Sequence, residues 1–516
     1  MNKKFVNKSG SILVVMLVAV GIFITLLSSA ITLGLLQIKF NKLKTAKAQA
    51  LHIAEAGINY YKWVLYNNPD DYCNKEECQS SPNYGPYGPY PYSDQSESIN
   101  GKYELYIFPP IDGSGIVKIK SVGWVDEYPN LKRTIEVQVG RLSLSSYLII
   151  SNDSLRITQN TLTTGTIHSN SGIRFDGFAN SPVNSAISSY DDPSHSGDNE
   201  FGVHTHKTTV DPLPPELIPT RNDIFSVGRF FPVPAITINK SIFNNYVSDM
   251  YSLAQSDGLV LEASGAYGYY IEFMPSTSPK IKIYRVTSVT DPCRTCITPG
   301  PCIKWKHGVC TQYGPCVLWS DSVPTYGVAG TDRVPGGPSN NQYDVPSSGV
   351  IFVKDNVWID ATPHINGTRV TLLAFKEPFD TGNANIVING GTSYKENDSS
   401  NVLGFIAQNN LMLGLNSSDN LQIDAAMIAR DGKIGRENYP SYCSGYQKSS
   451  LKIYGSLTML GNNNGDSYGF SYYDDFGNFL SGYQNIELKY DGNLRLYPPP
   501  NFPTIEDYRF LSWREN

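Results

Sequence analysis

The chain opens on two apolar patterns in succession. From Ser9 to Ile38 no side chain is ionisable. At about 1.5 Å per residue that run makes roughly 45 Å of helix, more than the ~30 Å of bilayer hydrocarbon. A secretory signal has a shorter apolar core and a small-residue cleavage site, so a retained membrane helix is expected. Beyond Lys39 the apolar run becomes a stripe. Leu43, Ala46, Ala50, Ile53, Gly57, Tyr60 and Val64 recur three and four apart, the a/d-type seam of a helix that continues without a break. No proline interrupts residues 9 to 68, and Asn67, Asn68 and Pro69 predict the stop. The C-terminal half of this helix is expected to cover a sheet, and the N-terminal half to pack on neighbouring subunits.

The period then changes to two. Gly101 to Phe108, Ile116 to Val125 and Lys132 to Val139 alternate apolar and polar residues between turn-forming segments, which predicts a three-strand antiparallel meander with one buried face. Ser81 to Gln95 reads as a surface loop, with sugar stacking by Tyr84, Tyr87, Tyr90 and Tyr92 as the alternative. From Leu142 onward short apolar runs recur, separated by Asn, Gly, Ser and Asp; YLIIS, GVIFV, NVWIDA, RVTLLAF, NIVI, VLGFIAQ and LQIDAAMIA are examples. No strict repeat emerges. Strand length, turn chemistry and an Ile-Asp-Ala echo (Ile359 to Ala361, Ile423 to Ala425) favour stacked rungs of a right-handed parallel β-helix, with a β-sandwich as the alternative.

The expected organisation is a leader at 1–10, a transmembrane and spine helix at 11–66 and a small antiparallel sheet at 67–141. A first β-helix part follows at 142–204, an α/β insertion at 205–345, a second β-helix part at 346–480 and an extended C-terminal strap at 481–516. Within the insertion, Ser241 to Gln255 predicts a helix with Ile242, Tyr246, Met250 and Leu253 on one face. Strands are expected around 268–273 and 281–286, before a cysteine-rich loop.

Composition sharpens the class. A net charge of −6 gives no basic field, which argues against nucleic acid as a partner. With 34 Tyr, 44 Gly, 33 Pro and only 17% charged residues, the chain reads as a turn-rich β protein with an uncharged polar surface. The eight cysteines (Cys73, Cys78, Cys293, Cys296, Cys302, Cys310, Cys316 and Cys443) behind an apolar N-terminal segment favour disulfides outside the cytoplasm. Cys73 and Cys78 close a small loop on this reading, and Cys443 reaches back to the cluster of five. A zinc knuckle is the sharper alternative, weakened because the second CxxC of a ribbon is absent. Lysines flank the apolar run on both sides, so charge does not orient it. The cysteines and the β-rich bulk place the N-terminus in the cytoplasm and the rest outside, in a single pass.

Three lysines (Lys3, Lys4, Lys8), then Gly10 and Ser11, the long apolar helix, and Ala54-Glu55-Ala56-Gly57 further along it together resemble the type IV pilin-like proteins, with PilX-type minor pilins the nearest pattern. The resemblance covers about 65 residues. It implies a peptidase cut after Gly10 that leaves Ser11 as the new N-terminus, and a helix packed on a small antiparallel sheet. It also implies partners among other pilin-like subunits and membrane lipid. The fifth residue after that cut is Val15, where major pilins carry a glutamate. That departure implies a minor, tip or initiating component rather than the repeated subunit.

Candidate chemistry is sparse. In Thr164 to Gly177, His168, Asn170, Arg174 and Asp176 alternate with apolar positions. The plain reading is a β-helix corner in which Ser169 and Asn170 bond backbone and Arg174 pairs with Asp176; a ligand or metal site is the sharper one. His204 and His206 form a His-x-His pair near His195, with Asp191, Asp192, Asp198 and Glu200 close by, and stand between metal geometry and a solvated loop. Asp360 and Asp424 would be paired carboxylates if their rungs were adjacent. No nucleophile elbow, phosphate loop or dinucleotide fingerprint occurs. The expectation is therefore a non-enzymatic surface protein of a type IV pilus system, with no assigned metal or cofactor, that acts in biogenesis, tip capping or adhesion to surface glycans or partner cells. The alternatives are a single-pass anchored protein outside any filament and an anchored carbohydrate-active β-helix enzyme.

Overall fold

The computed structural model describes residues 9–68, 71–74, 76–78, 84–94, 100–110, 116–193, 197–237, 240–274, 280–306, 309–361, 365–461, 467–474 and 476–515. Residues 1–8 of the expected leader, Pro69, part of the tyrosine-rich loop and His195 lie outside them. A long N-terminal helix is followed by a large all-β region, and the chain divides into two compact units.

The first unit is a helix on a sheet. Helix α1 (Ser9–Asn67) is 59 residues long and continuous. It packs on β1 (Tyr87–Ser93), β2 (Asn100–Phe108), β3 (Ile116–Val125) and β4 (Arg133–Ser143), antiparallel in that order, with Thr504–Glu515 beside β4 as a fifth strand. The expected meander is present with a strand added on each side. Tyr87 to Ser93 is thus an edge strand rather than a surface loop. Tyr87 is buried, the Tyr90 ring lies 5.5 Å from that of Tyr103, and Tyr84 packs on Phe108 at 5.3 Å. These rings are used in packing, which leaves sugar stacking there without support. The C-terminal residues are not wholly a strap, because Arg133 pairs with Glu515 and Ser512 bonds Gln138 at 2.9 Å along the fifth strand.

The seam of α1 follows the true helical period of 3.6. Ala46, Ala50, Ile53, Ala54, Ile58, Tyr61, Val64 and Leu65 are buried against the sheet. Tyr61, not Tyr60, is the seam residue, since the stripe drifts by one position over four turns. Close approach is set by glycine. A Cβ on Gly57 would lie 2.5 Å from Ser121 Oγ and 2.7 Å from a Tyr103 ring carbon, and one on Gly123 would lie 2.6 Å from Ala50 O. The Ala-Glu-Ala-Gly stretch is thus the place where helix and sheet backbones meet.

The second unit is built from parallel ladders. One runs Arg229–Phe230, Val183–Ser185, Ile167–Ser169, Ile149–Ser151, Gln447–Met459, Asn420–Ala429, Val402–Ala407, Arg369–Ala374, Val350–Val353 and Leu259–Leu261, parallel throughout. A second runs Gly268–Met274, Val357–Ala361, Ile386–Ile388, Leu411–Leu413, Ile434–Arg436 and Tyr468–Gly469, also parallel. From residue 346 to 469 the chain alternates strictly between the two. A short third ladder joins Leu155–Ile157, Ile173–Phe175 and Val203–His204.

Strands of the first ladder are apolar on both faces, as parallel sheets are when covered twice. Ile351, Leu372 and Phe405 face the main core, while Phe352, Leu373 and Ile406 face outward. The outer face is covered by α2 (Lys240–Asp257) through Phe243, Val247, Met250 and Ala254, and by Leu494 and Phe502. Of the expected face, Met250 is buried and Tyr246 and Leu253 pack on the same cluster, which Phe243, Val247 and Ala254 widen; the Ile242 side chain lies outside the described ones.

The expected 205–345 insertion is also smaller than its bounds. Arg229–Phe230, Leu259–Leu261 and Gly268–Met274 are ladder strands, and Lys280 to Asp344 leaves the ladders as antiparallel strands and a cysteine excursion. Likewise Phe479–Tyr490 pairs with Gln447–Met459 and Thr161–Thr164, so a strap remains only from about 491 to 503. There Arg369 holds Pro498 O at 2.9 Å and Thr371 holds Pro500 O at 2.5 Å.

Candidate functional site

The first functional element is the exposed half of α1. Among the described residues this is the one helix long and apolar enough to cross a membrane, with a mean hydropathy of 2.7 in its most apolar window and none of that window buried. Leu13, Met16, Leu26, Leu33 and Phe40 are all exposed. An unbroken apolar surface of this length needs lipid or another protein to cover it. Three of its hydroxyls are already satisfied. Thr25 bonds Ile22 O at 2.8 Å, Ser29 bonds Thr25 O at 2.9 Å and Thr32 bonds Ser28 O at 2.8 Å, so none of these three needs water. Gly10 and Ser11 lie in the first turns of α1, and Val15 is exposed.

The second element is a polar cluster in the outer unit. The antiparallel pair Ser189–Tyr190 and Glu200–Phe201 brings Asp192 and Glu200 to the end of the third ladder, where Arg174 and His204 sit side by side on paired strands. Arg174 Nε holds Asp176 at 2.8 Å. The other Asp176 oxygen accepts from Thr205 Oγ1 at 3.1 Å and from the His206 amide at 2.8 Å. Asp192 lies 3.4 Å from His204 Nε2 and Glu200 lies 3.3 Å from His206 Nε2. The two imidazoles are 5.0 Å apart, and the Tyr190 ring is 5.5 Å from His204. Burial first, and then the Asp192 carboxylate, push the Tyr190 hydroxyl far above its ordinary value. Asp211, held by Arg229, accepts the Thr205 amide at 2.9 Å and closes the loop behind the cluster.

Asp176, Glu200 and His206 also line a cleft of about 790 Å³ together with Arg156, Lys207 and Phe476. The structure thus brings Asp176, His204 and His206 together with Asp192 and Glu200, while Asp191 and Asp198 are exposed beside them. His168 stays apart, in the first ladder. Its Nε2 meets Asn170 Oδ1 at 3.0 Å, and burial lowers its pKa while that bond raises it. Asn170 in turn bonds Ile236 O, and Ser169 Oγ bonds Asp153 O, so this stretch is a structural corner.

The cysteines pair as Cys73–Cys78, Cys293–Cys443, Cys296–Cys316 and Cys302–Cys310. None is free, which rules out thiolate zinc ligation in this structure. Cys293–Cys443 fastens the excursion beside Tyr439 and Leu415, while Ile297, Ile303, Val309 and Val317 on it are exposed. At the base of the excursion a second cleft of about 440 Å³ is lined by Tyr267, Tyr326, Trp358, Pro292, Pro324 and Val387.

Asp360 and Asp424 do not pair. They stand on different ladders, Val357–Ala361 and Asn420–Ala429, and the Ile-Asp-Ala echo therefore marks no shared rung. Tyr270 donates to Asp360 at 3.1 Å. Asp424 accepts from the Tyr394 amide at 2.7 Å and from Gln422 at 3.1 Å; burial pushes its carboxyl up to about 6. The neighbouring carboxylate that contributes to this rise is Asp491.

No protein-family model matches the chain, and no curated protein matches it. Among solved structures, the competence-associated pilin ComZ from Thermus thermophilus is similar over 92% of this chain and 98% of that one, at 12% identity and a TM-score of 0.29. A superposition that loose carries no argument about fold or function.

Proposed function

We propose that the chain is a membrane-inserted, pilin-like surface protein of the PilX-type minor class, cleaved after Gly10 and assembled through α1 with other pilin-like subunits. One observation carries this reading. A single helix is bare and apolar over its first half and packed through glycine contacts on an antiparallel sheet over its second. The first half suits lipid before assembly and other helices after it, since small residues and satisfied hydroxyls permit both. The absence of an acidic residue at Val15 favours a minor or tip position.

On this reading the bulk faces outward in a single pass. The parallel ladders, between which the chain alternates strictly, are then the faces of a right-handed parallel β-helix displayed for adhesion or capping. The aromatic cleft beside Trp358 and the apolar cysteine excursion supply contact surface for glycans or partner cells. On this reading the protein acts without catalysis, and the placement of Asp360 and Asp424 on different ladders lends no support to the carbohydrate-active enzyme alternative.

The test is the mature N-terminus of protein taken from its native cells. A mature chain beginning at Ser11 supports the pilin route. A chain still beginning at Met1 leaves a single-pass anchored protein that never enters a filament.

A further inference from the structure

The polar cluster at the end of the third ladder carries a feature that packing does not account for. His204 is fully buried and Asp192 nearly so. His204 Nδ1 lies 3.3 Å from Phe201 O. A carbonyl only accepts, so Nδ1 carries the proton, and in the neutral ring Nε2 presents its lone pair. That Nε2 has no hydrogen-bond partner and faces an Asp192 carboxylate oxygen at 3.4 Å. In that neutral form, two electron-rich atoms at that distance in a buried place call for a cation between them, a proton or a metal ion.

The second imidazole is arranged in the same sense. His206 Nε2 lies 3.3 Å from Glu200 Oε1; the carboxylate accepts, so Nε2 carries the proton and donates, which makes Nδ1 the basic nitrogen. Each histidine is therefore oriented through one ring nitrogen by an oxygen acceptor, as metal-ligating histidines are by their outer partners. The ligand atoms of Asp192, His204 and His206 lie within 4.8 Å of one another. Donors about 2.0–2.1 Å from a tetrahedral ion are themselves about 3.3–3.4 Å apart. The His204–Asp192 separation already has that value, and His206 has to close by no more than about 1.4 Å (4.8 − 3.4). Arg174 is the competing cation, with Nη1 3.8 Å from Asp192 Oδ2, but its Nε is committed to Asp176 at 2.8 Å.

We propose that Asp192, His204 and His206 bind one divalent transition-metal ion of the zinc type, with Glu200 and the Phe201 carbonyl as the outer partners that orient the imidazoles. Two imidazoles and one carboxylate suit zinc and its neighbours rather than calcium or magnesium, which take oxygen ligands. The ion ties Asp192 to His204, on the strand Val203–His204, and to His206. All eight cysteines are paired, so no thiolate competes for it. This inference is independent of the proposed pilin role.

The test uses the full-length chain in detergent, stripped with a chelator and then titrated with Zn²⁺ and, separately, with Co²⁺. One equivalent of Zn²⁺ should bind, and Co²⁺ should give the intense visible bands of a low-symmetry four-coordinate site. His206→Gln, the less buried ligand, should raise the Zn²⁺ concentration for half-occupancy about tenfold or more, with Asp192→Asn acting in the same direction. His168→Gln, in the first ladder, should leave binding unchanged. If His204→Ala misfolds, the His206→Gln titration and zinc X-ray absorption on the wild type still decide the matter, the latter by requiring two imidazole ligands. No stoichiometric uptake, uptake unaltered in His206→Gln, or equal uptake of Ca²⁺ at the same site would each overturn the proposal.

Discussion

The two halves of α1 share one backbone and have opposite surroundings. From Ile12 to Phe40 the large apolar side chains are exposed, whereas from Ala46 to Leu65 the apolar stripe is buried on a sheet. The first half has apolar residues all round, and the second has them along one seam with Glu55, Lys62 and other polar residues outside it. A helix hydrophobic all round needs an apolar solvent, whereas a striped one needs only a partner surface. The chain supplies that surface for the second half alone, through β1 to β4. The covering of the first half must come from elsewhere, which is why the helix, rather than any cleft, dominates the functional reading.

The strongest way to break this contrast is at Tyr61, whose ring is fully buried and whose hydroxyl donates to Asp71 O. Tyr61→Ala should destabilise the first unit by about 3–4 kcal/mol in thermal or denaturant unfolding. Tyr60→Ala, one residue off the seam, should cost about 1 kcal/mol or less. Equal effects would mean that the seam is misplaced. In the other half, Ile24→Arg should oppose membrane insertion by about 3 kcal/mol without touching the sheet. The readout is a shift from the membrane to the soluble or degraded fraction.

Asp424, in the outer unit, gives a pH signature that leaves both halves of α1 alone. Its carboxyl is raised from 3.8 to about 6 by burial, so the folded state holds that proton more tightly than the unfolded chain does. The associated stability is present below about pH 4 and is lost as the pH rises through about 6. Wild type should therefore lose on the order of 2 kcal/mol relative to Asp424→Asn between about pH 4 and 7, seen as converging or crossing unfolding midpoints. A smaller effect than at Tyr61, Ile24 or Asp424 is expected at the glycine contact. Gly123→Ala places a methyl 2.6 Å from Ala50 O and should cost about 1–2 kcal/mol, with the helix moving off the sheet.

The same division explains what the sequence disclosed. The sheet under α1 is half solvated, and its period-two alternation in Gly101–Phe108, Ile116–Val125 and Lys132–Val139 could be read directly. Its two edge strands could not. Tyr87–Ser93 looks like a proline-glycine loop, and Thr504–Glu515 lies hundreds of residues from its neighbour. In the ladders, burial on both faces erases the alternation, so strands such as Val402–Ala407 show as apolar runs with no register. A repeat was nevertheless present.

Asn356, Asn385 and Asn410 each stand one residue before a second-ladder strand. They form a chain in which Asn356 Oδ1 accepts the Asn385 amide at 3.0 Å, Asn385 Oδ1 accepts the Asn410 amide at 3.0 Å, and Asn410 Oδ1 accepts the Lys433 amide at 2.9 Å. Asn followed by three mostly apolar residues at 356, 385 and 410 was the signal to follow; its unequal intervals of 29 and 25 residues (385 − 356 and 410 − 385) hid it. The polar cluster was half legible. The His-x-His spacing announced His204 and His206, but Asp192 reaches them only because Ser189–Tyr190 folds back on Glu200–Phe201, a two-residue pairing with no signature of its own.

The account rests most heavily on what covers the first half of α1 in the assembled state. A photo-reactive phenylalanine analogue at Leu26, exposed in the apolar half, answers this in the native cells when filaments are sheared from the surface and the cross-linked products are identified by mass. The account predicts adducts between this chain and the apolar helices of other pilin-like subunits in the filament fraction. Adducts to lipid alone, with the chain absent from sheared filaments, would contradict it.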